Sequence, residues 1–154
     1  MNANLRQVGG MHYHSEYQHW DLCLKVGLNY FEAAATKYVA RWRAKNGVTD
    51  LQKALHYAQK LQEEAHVALL LQGQRFTMSF VSSEVNKFCS INKLEGAEKA
   101  IILLLATWQT SEQLSDVQDF IIRLLEEEGV VDPYAVPDPK PVPLTEENHY
   151  AERA

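Results

Sequence analysis

The stretch from Tyr38 to Leu61, YVARWRAKNGVTDLQKALHYAQKL, decides the fold of this chain. Apolar residues recur every three or four positions on both sides of Asn46-Gly47, a spacing that predicts one buried stripe on each of two helices. Helices joined by about three residues lie roughly antiparallel. We therefore expect a helical hairpin in which the end of the first helix lies beside the start of the second.

Local residues suggest where the helices of this hairpin begin and end. The Asn46-Gly47 pair can adopt the left-handed conformation that closes a helix, so the first helix is expected to end there. Thr49 and Gln52 have the spacing of a capping box, which predicts that the second helix starts at Thr49. Its apolar stripe continues through Leu71 to Gly73, giving a helix of about 23 residues.

The rest of the chain predicts an all-α protein, a bundle of about six helices around this central hairpin. Further helices are expected from Glu16 with Ser15 as its cap, over Phe76–Phe88, over the strongly apolar Leu94–Gln109, and from Ser111 to Gly129. The expected organisation is a flexible arm over 1–11, a helical domain over 12–72, a C-terminal helical region over 73–130 that packs on it, and an extended, disordered, Pro-rich tail over 131–154.

Composition limits the classes of function. The chain has 154 residues, 46% of them hydrophobic, which is enough to bury a core. Its net charge of −5 argues against general nucleic-acid binding, because such proteins usually present a wholly basic face. Two cysteines without a CxxC motif suggest reduced core residues, and no apolar run is long enough for a membrane span. A cytoplasmic protein without membrane contact is expected.

Positive charge is concentrated in the hairpin. At about 100 degrees per residue, Lys37, Arg41 and Lys45 form a row that flanks the apolar stripe of the first helix. Lys53 and Tyr57 lie one turn apart on the second helix and can face the same rim. Cations beside aromatic rings suit a phosphorylated molecule that carries a ring. The alternative is that these cations are solvated and paired with neighbouring carboxylates, which is the usual case on helix surfaces.

Histidines near the N-terminus raise a second chemistry. His12, His14 and His19 lie close to Glu16, and such a group can bind a transition metal, although surface histidines near a chain end are more often without ligand. No Walker-type GxxxxGK[ST] motif is present. Magnesium is possible as a companion of a nucleotide such as ATP, but the sequence shows no evident protein metal site.

Part of the sequence resembles a known family. The residues concerned are His12-Tyr13, Trp20-Asp21, Gly27-Leu28, Tyr30-Phe31, Lys37-Tyr38, Arg41, Lys45-Asn46-Gly47, Asp50-Leu51, Lys53-Ala54 and Tyr57. Over about Met11 to Leu61 they are similar to the small bacteriophage nucleotide kinases that lack a Walker P-loop. The family commonly has Gly-Asn before the Lys-Tyr pair, where this chain has Ala33-Ala34.

The resemblance implies a nucleotide-binding protein, with phosphoryl transfer to deoxynucleoside monophosphates as in characterised members of the family. Together with the charge pattern it nominates Lys37, Arg41 and Asp50 as catalytic residues, with Asp50 orienting an arginine or binding a sugar hydroxyl. The nominated nucleotide-binding residues are His12, Tyr13, Tyr38, Trp42, Arg43, Lys45, Lys53 and Tyr57, with Tyr38, Trp42 or Tyr57 stacking on a base.

Two other classes of function stay open on the sequence. The same pocket could hold a nucleotide without converting it, for example to sequester a signalling nucleotide of host anti-phage defence. Alternatively, the C-terminal helices and the tail could make the chain a scaffold or inhibitor that binds a host protein. In all three cases a homo-oligomer is expected, because the long third helix and the apolar fifth helix offer more apolar surface than one small bundle hides.

Overall fold

The structure, a computed structural model, describes residues 2–6, 8, 15–72 and 76–136, and these form helices and connecting turns. The seven α-helices are α1 (His19–Val26), α2 (Tyr30–Arg41), α3 (Val48–Glu63), α4 (Ala65–Leu71), α5 (Met78–Ile91), α6 (Gly96–Thr107) and α7 (Ser111–Glu127). Short 3₁₀ turns occur at Ala3–Leu5 and Trp42–Ala44. The all-α prediction is confirmed.

The central hairpin consists of α2, the 3₁₀ turn and α3. Asn29 begins α2 through a reciprocal capping box with Glu32, in which each side chain accepts from the other's backbone N–H at 2.9 Å. Gly47 has φ +55 and ψ −130, a conformation that an L side chain rarely adopts, and it directly precedes α3. The two helices pack closely and run antiparallel, since Arg41 meets Asp50 whereas the earlier Tyr30 meets the later Tyr57.

Three details of the predicted helices are corrected. The capping box at Thr49 is absent, because α3 already begins at Val48 and has no side-chain cap. The 23-residue helix is two helices, since Glu64 leaves helical geometry at φ −105 and ψ 21 and α4 follows. This break makes the count seven instead of six. The first helix starts at His19 with Gln18 as its cap, while Ser15 forms a local turn with Tyr17.

The helices pack as two adjoining squares. In one square α2 contacts α3, α3 contacts α7, α7 contacts α6, and α6 returns to α2. In the other, α1 contacts α2 and α5, and α5 contacts α6. The pair α2 and α6 is therefore common to both squares. One continuous apolar core runs through them, with Leu22, Leu55, Phe88, Ile101 and Ile121 among its fully or almost fully buried members.

Buried carboxylates connect α2 and its following turn to the C-terminal half. Glu32 is fully buried and accepts hydrogen bonds from the indole of Trp108 at 2.6 Å and the amide of Gln72 at 3.3 Å. Glu98 on α6 accepts from the indole of Trp42 at 3.2 Å. Because an unpaired buried carboxylate is costly, these bonds require both halves of the chain to be in place.

The two chain ends also bear on the predicted organisation. In the predicted N-terminal arm, Asn4 accepts from the indole of Trp20 at 2.8 Å and donates to Asp21 at 3.0 Å, so residues 2–6 are anchored to α1. In the predicted tail, the carbonyl of Ala135 accepts from Gln52 at 3.0 Å, which holds this part of the tail against α3. Predictions for 9–14, for the helix end at Gly73 and for 137–154 fall outside the described residues.

The membrane prediction can be checked against the helices of the described segments. None of these helices combines the length and apolar character that a bilayer crossing needs.

Candidate functional site

The ring of Tyr38 on α2 is the centre of the cationic cluster predicted from the sequence. Three cationic groups lie over it: the ammonium of Lys37 at 4.9 Å from the ring centroid, the guanidinium of Arg41 at 4.7 Å and the ammonium of Lys53 at 5.4 Å. The face of an aromatic ring carries partial negative charge, so each contact is worth about 0.5–1 kcal/mol at an exposed site. The antiparallel pairing of α2 and α3 brings these groups together.

A second ring extends this cluster. Tyr57 on α3 stacks on Tyr38 with centroids 5.9 Å apart and planes 24° from parallel. Tyr30 meets Tyr57 edge to face at 5.9 Å, and their hydroxyls are 3.4 Å apart. This hydrogen bond raises the pKa of Tyr57, so the phenol stays neutral at physiological pH. Phe31 completes the cluster at 6.4 Å from Tyr57.

Arg41 has a defined partner. Its Nε donates to one carboxylate oxygen of Asp50 at 3.1 Å, and its Nη2 donates to the other at 3.2 Å. The amide of Asn46 donates to the same carboxylate at 3.4 Å. Asp50 is fully buried, so it orients Arg41 as expected. The alternative role of Asp50, contact with a sugar hydroxyl, does not fit a side chain with no exposed surface.

Lys37 and Lys53 are the cations that this cluster leaves unneutralised. Neither has a carboxylate of the described residues within ion-pair distance. The alternative interpretation from the sequence, in which the cations of the hairpin are paired on the surface, therefore applies to Arg41 but not to these two lysines. The cluster keeps a local positive charge on a chain that is acidic overall.

An open groove of about 790 Å³ runs beside Tyr38, Lys53 and Tyr57. Thr49, Gln52 and Gln59 contribute polar groups from α3, and the segment 133–136 forms the opposite side. Binding sites for small molecules are usually concavities of about 300–1,000 Å³ that combine apolar or aromatic walls with a few polar groups. The groove has this size and this mixture.

A second cavity of about 500 Å³ lies between α1, α2 and the N-terminal segment. Lys37 lines it together with Arg6, Gln18, His19 and Trp20. The ring nitrogen Nε2 of His19 is 2.7 Å from the hydroxyl of Thr36, which itself donates to a backbone carbonyl of α2. Burial, followed by the positive charges of Lys37 and Arg41, lowers the pKa of His19 to about 4, so the imidazole is neutral at pH 7.

The other predicted site residues lie elsewhere in the fold or outside the described residues. Trp42 is 4% exposed and bonded to Glu98, so its ring is not available to stack on a base. Arg43 covers Trp42 at 4.2 Å and donates to Glu98 at 2.8 Å, which is a structural role at α6. Lys45 is exposed in the turn before Gly47. The predicted residues His12 and Tyr13 are not among the described residues.

Sequence reasoning missed several residues of the site. The segment 133–136 and its contact with Gln52 were not predicted, because the partners are 83 positions apart and no local pattern connects them. Arg6 was assigned to a flexible arm, and His19 was considered only as a metal ligand. Tyr30 was part of the family resemblance, but its contact with Tyr57 was not foreseen. Its spacing from Tyr38, two turns along one helix face, could have indicated it.

The described residues offer no alternative metal or thiol chemistry. No group of three or more His, Cys, Asp or Glu side chains among them is arranged to hold a metal ion. Cys23 has its sulfur 3.6 Å from the ring of His19, but burial raises the pKa of the thiol to about 11. A thiol of high pKa beside a neutral imidazole is the opposite of an activated nucleophile.

The geometry therefore defines a cation-and-aromatic site on a helical hairpin, of the class that suits anions carrying a ring. Comparison with protein-family models, with curated proteins and with solved structures found no match to this chain.

Proposed function

We propose that this protein binds a nucleotide in the groove beside Tyr38, Lys53 and Tyr57, and that it acts as a nucleoside monophosphate kinase of the type that lacks a P-loop. The observation that supports this most directly is the position of Lys37, Arg41 and Lys53 around one ring that opens onto a groove of about 790 Å³. A base would stack on the tyrosines, and the lysines would contact phosphate oxygens.

Catalysis by such a site would depend on positioning and charge. Phosphoryl transfer spreads negative charge over the oxygens of the transferred group, so preorganised cations can supply much of the stabilisation. Arg41 is preorganised by the buried Asp50, and the side chain of Asp50 has no exposed surface through which it could donate or accept a proton from substrate. ATP, with magnesium bound to its phosphates, would be the phosphoryl donor.

The burial of Asp50 also favours the second candidate, binding without turnover. With this carboxylate committed to Arg41 and Asn46, it cannot serve as a base for an acceptor hydroxyl or phosphate. The Ala33-Ala34 pair, where the similar family has Gly-Asn, points the same way. A protein of this kind would sequester a nucleotide, such as one used in host defence signalling.

An assay on the purified chain separates these two candidates. ATP and magnesium are incubated with each deoxynucleoside monophosphate in turn, and the products are separated by chromatography, while calorimetry measures nucleotide binding. Formation of diphosphates from both partners supports the kinase. Binding without product supports sequestration, and the absence of any nucleotide binding would contradict both.

Variants locate the binding in the groove. Lys53→Ala removes one charged hydrogen bond to phosphate and is expected to weaken binding by about 1.5–3 kcal/mol. Tyr57→Ala removes a stacking surface worth about 1–3 kcal/mol per base. Lys60→Ala is the matched control on the same helix, because Lys60 already pairs with Glu63 and Glu64. Equal affinities for Lys53→Ala and Lys60→Ala would remove the groove from the proposal.

We also propose that the chain forms an oligomer. The surface that supports this proposal differs from the one that the sequence predicted. The apolar α6 is largely buried within the chain and leaves little apolar surface for a partner. Large apolar side chains are instead exposed on α4 and near the start of α5, namely Val67, Leu70, Leu71, Phe76, Met78 and Phe80. An exposed apolar group of this kind is typical of protein contacts, with a second copy or with a host protein. Sedimentation equilibrium would show whether the chain self-associates.

A further inference from the structure

We infer that the cavity between α1, α2 and the N-terminal segment is a second nucleotide subsite, one that takes a nucleoside monophosphate while the groove beside Tyr57 holds the larger nucleotide. This inference rests on the proposed function and deepens it. The cavity has about 500 Å³, compared with about 790 Å³ for the groove, and both volumes fall within the usual range of small-molecule sites.

The lining of this cavity combines the groups that such a ligand needs. Arg6 and Lys37 supply positive charge, and neither forms an ion pair with a carboxylate of the described residues. Trp20 is 46% exposed, so its indole has free surface for a base to contact. The indole N–H is already used, since it donates to Asn4 at 2.8 Å, and this bond holds the ring in place.

Lys37 lies at the boundary between the two concavities. Its side chain lines the cavity, while its ammonium lies 4.9 Å from the ring of Tyr38, which lines the groove. Arg41 lies over the same ring and also acts on His19 in the cavity wall. Phosphate groups held in the two concavities would therefore both lie near Lys37 and Arg41, which is the arrangement that transfer between two nucleotides requires.

Asn4 fixes the N-terminal wall of the cavity to α1 and its cap. Asn4 accepts from Trp20, donates to Asp21 at 3.0 Å, and accepts through its backbone carbonyl from Gln18 at 2.8 Å. Arg6 follows two residues later and so is presented by an anchored segment. Asn4 is therefore a positioning residue for this subsite, and its replacement is expected to weaken monophosphate binding without affecting the groove.

Calorimetry on the full chain tests the inference with a non-hydrolysable ATP analogue and one deoxynucleoside monophosphate at a time, alone and together. We expect the monophosphate still to bind when the analogue saturates the groove, giving two nucleotides per chain. Arg6→Ala should weaken the monophosphate by roughly 10- to 100-fold and leave the analogue unchanged. Lys53→Ala should do the reverse, and Lys37→Ala should weaken both. Lys60→Ala is the control.

His19, which lines the cavity, gives a second readout, measured with the ATP analogue already bound so that phosphates in the groove contribute equally before and after the monophosphate is added. A bound phosphate would offset the charges of Lys37 and Arg41, so the pKa of His19 should rise from about 4 when the monophosphate binds, as followed by the ring proton signals in NMR. The same titration with Asn4→Ala should need a higher monophosphate concentration, and binding of the ATP analogue should not change in that variant.

The outcomes separate this inference from the proposed function. Competition of the monophosphate with the analogue for a single site, unaffected by Arg6→Ala, overturns the second subsite and leaves nucleotide binding in the groove. If Arg6→Ala abolishes monophosphate binding while Lys53→Ala leaves analogue binding unchanged, the result supports the cavity and overturns the groove. Failure of both ligands to bind overturns both.

Discussion

His19 is a residue whose pKa is lowered by burial and by two cations of the site, Lys37 and Arg41. Its imidazole lies between Cys23, one turn away on α1, and Thr36 on α2, and the charges that act on it are those of Lys37 and Arg41. Desolvation is the largest cause of its low pKa, followed by these two charges. The residue is therefore neutral at pH 7 and serves as a hydrogen-bonding wall of the cavity instead of as a cation.

A pH dependence of stability follows from this shift. The pKa of His19 is about 4 in the folded chain and about 6.5 in the unfolded chain, so between these values only the unfolded chain takes up the proton. Above about pH 6.5 the residue contributes its full stability, and this contribution is lost as pH falls toward 4. At pH 4.5 the loss would be about 2 kcal/mol, because desolvation keeps the ring neutral in the folded chain while the unfolded chain takes up the proton.

Urea unfolding of the wild type and His19→Gln at pH 7 and pH 4.5 measures this contribution. The wild type should lose more stability than the variant between the two pH values, and the exposed His66→Gln on α4 should behave like the wild type. Parallel losses in the wild type and His19→Gln would show that the ring is protonated in the folded chain, contrary to the structure.

At the scale of the elements, the contact of Arg41 with Asp50 joins the end of α2 to the start of α3. Asp50 is fully buried and the side chain of Arg41 is 11% exposed, so removal of the carboxylate would take two charged hydrogen bonds from a largely buried guanidinium. Breaking a buried ion pair from one side typically costs about 3–5 kcal/mol. Asp50→Ala is expected to lower the free energy of unfolding by about this amount.

Chemical denaturation of Asp50→Ala and Lys53→Ala measures the difference. Lys53 lies about one turn further along α3 and is exposed, so its replacement should change stability by no more than about 0.5 kcal/mol. A loss below about 1 kcal/mol for Asp50→Ala would mean that the ion pair does not hold the hairpin together. Asp50→Asn separates charge from shape, since the amide can still accept from Asn46 at the same place but no longer offers a carboxylate to Arg41.

The elements themselves were largely predictable because their helical periodicity is local. The antiparallel hairpin and the cluster of Lys37, Tyr38, Arg41, Lys53 and Tyr57 follow from spacing around Asn46-Gly47. The break at Glu64 did not, since the residues around it favour helix and include no Gly or Pro. The break comes just after Gln62, whose side-chain amide donates to the carbonyl of Ser111 at 2.9 Å. Ser111 is 49 positions away, so local periodicity does not show this contact.

At the scale of the whole molecule, a local cluster of positive charge lies on a chain whose net charge is negative. The tertiary features of that site, namely the segment 133–136 along the groove and the Asn4 anchor beside the cavity, depend on contacts between distant parts of the chain. Sequence periodicity carries no information about such contacts. The same limit applies to Trp42, which has a suitable position in the sequence for a stacking ring but is buried against α6.

The N-terminal and C-terminal halves of the chain stabilise each other, which is a property of the whole molecule. The sequence suggested a helical domain over 12–72 with a second region packed on it. In the structure, Glu32 depends on Trp108, Trp42 depends on Glu98, and α3 packs along α7. A fragment of residues 1–72 would therefore expose the core and leave Glu32 without its indole donor, so we expect it not to fold independently.

Circular dichroism with thermal unfolding compares this fragment with the full chain and with a control of residues 1–136, which retains all seven helices. The full chain and the control should unfold in one cooperative transition, because one core is common to both squares of helices. The fragment should show little helix and no cooperative transition. A cooperative transition in the fragment, with helical content per residue equal to that of the full chain, would show that residues 12–72 form an autonomous domain after all.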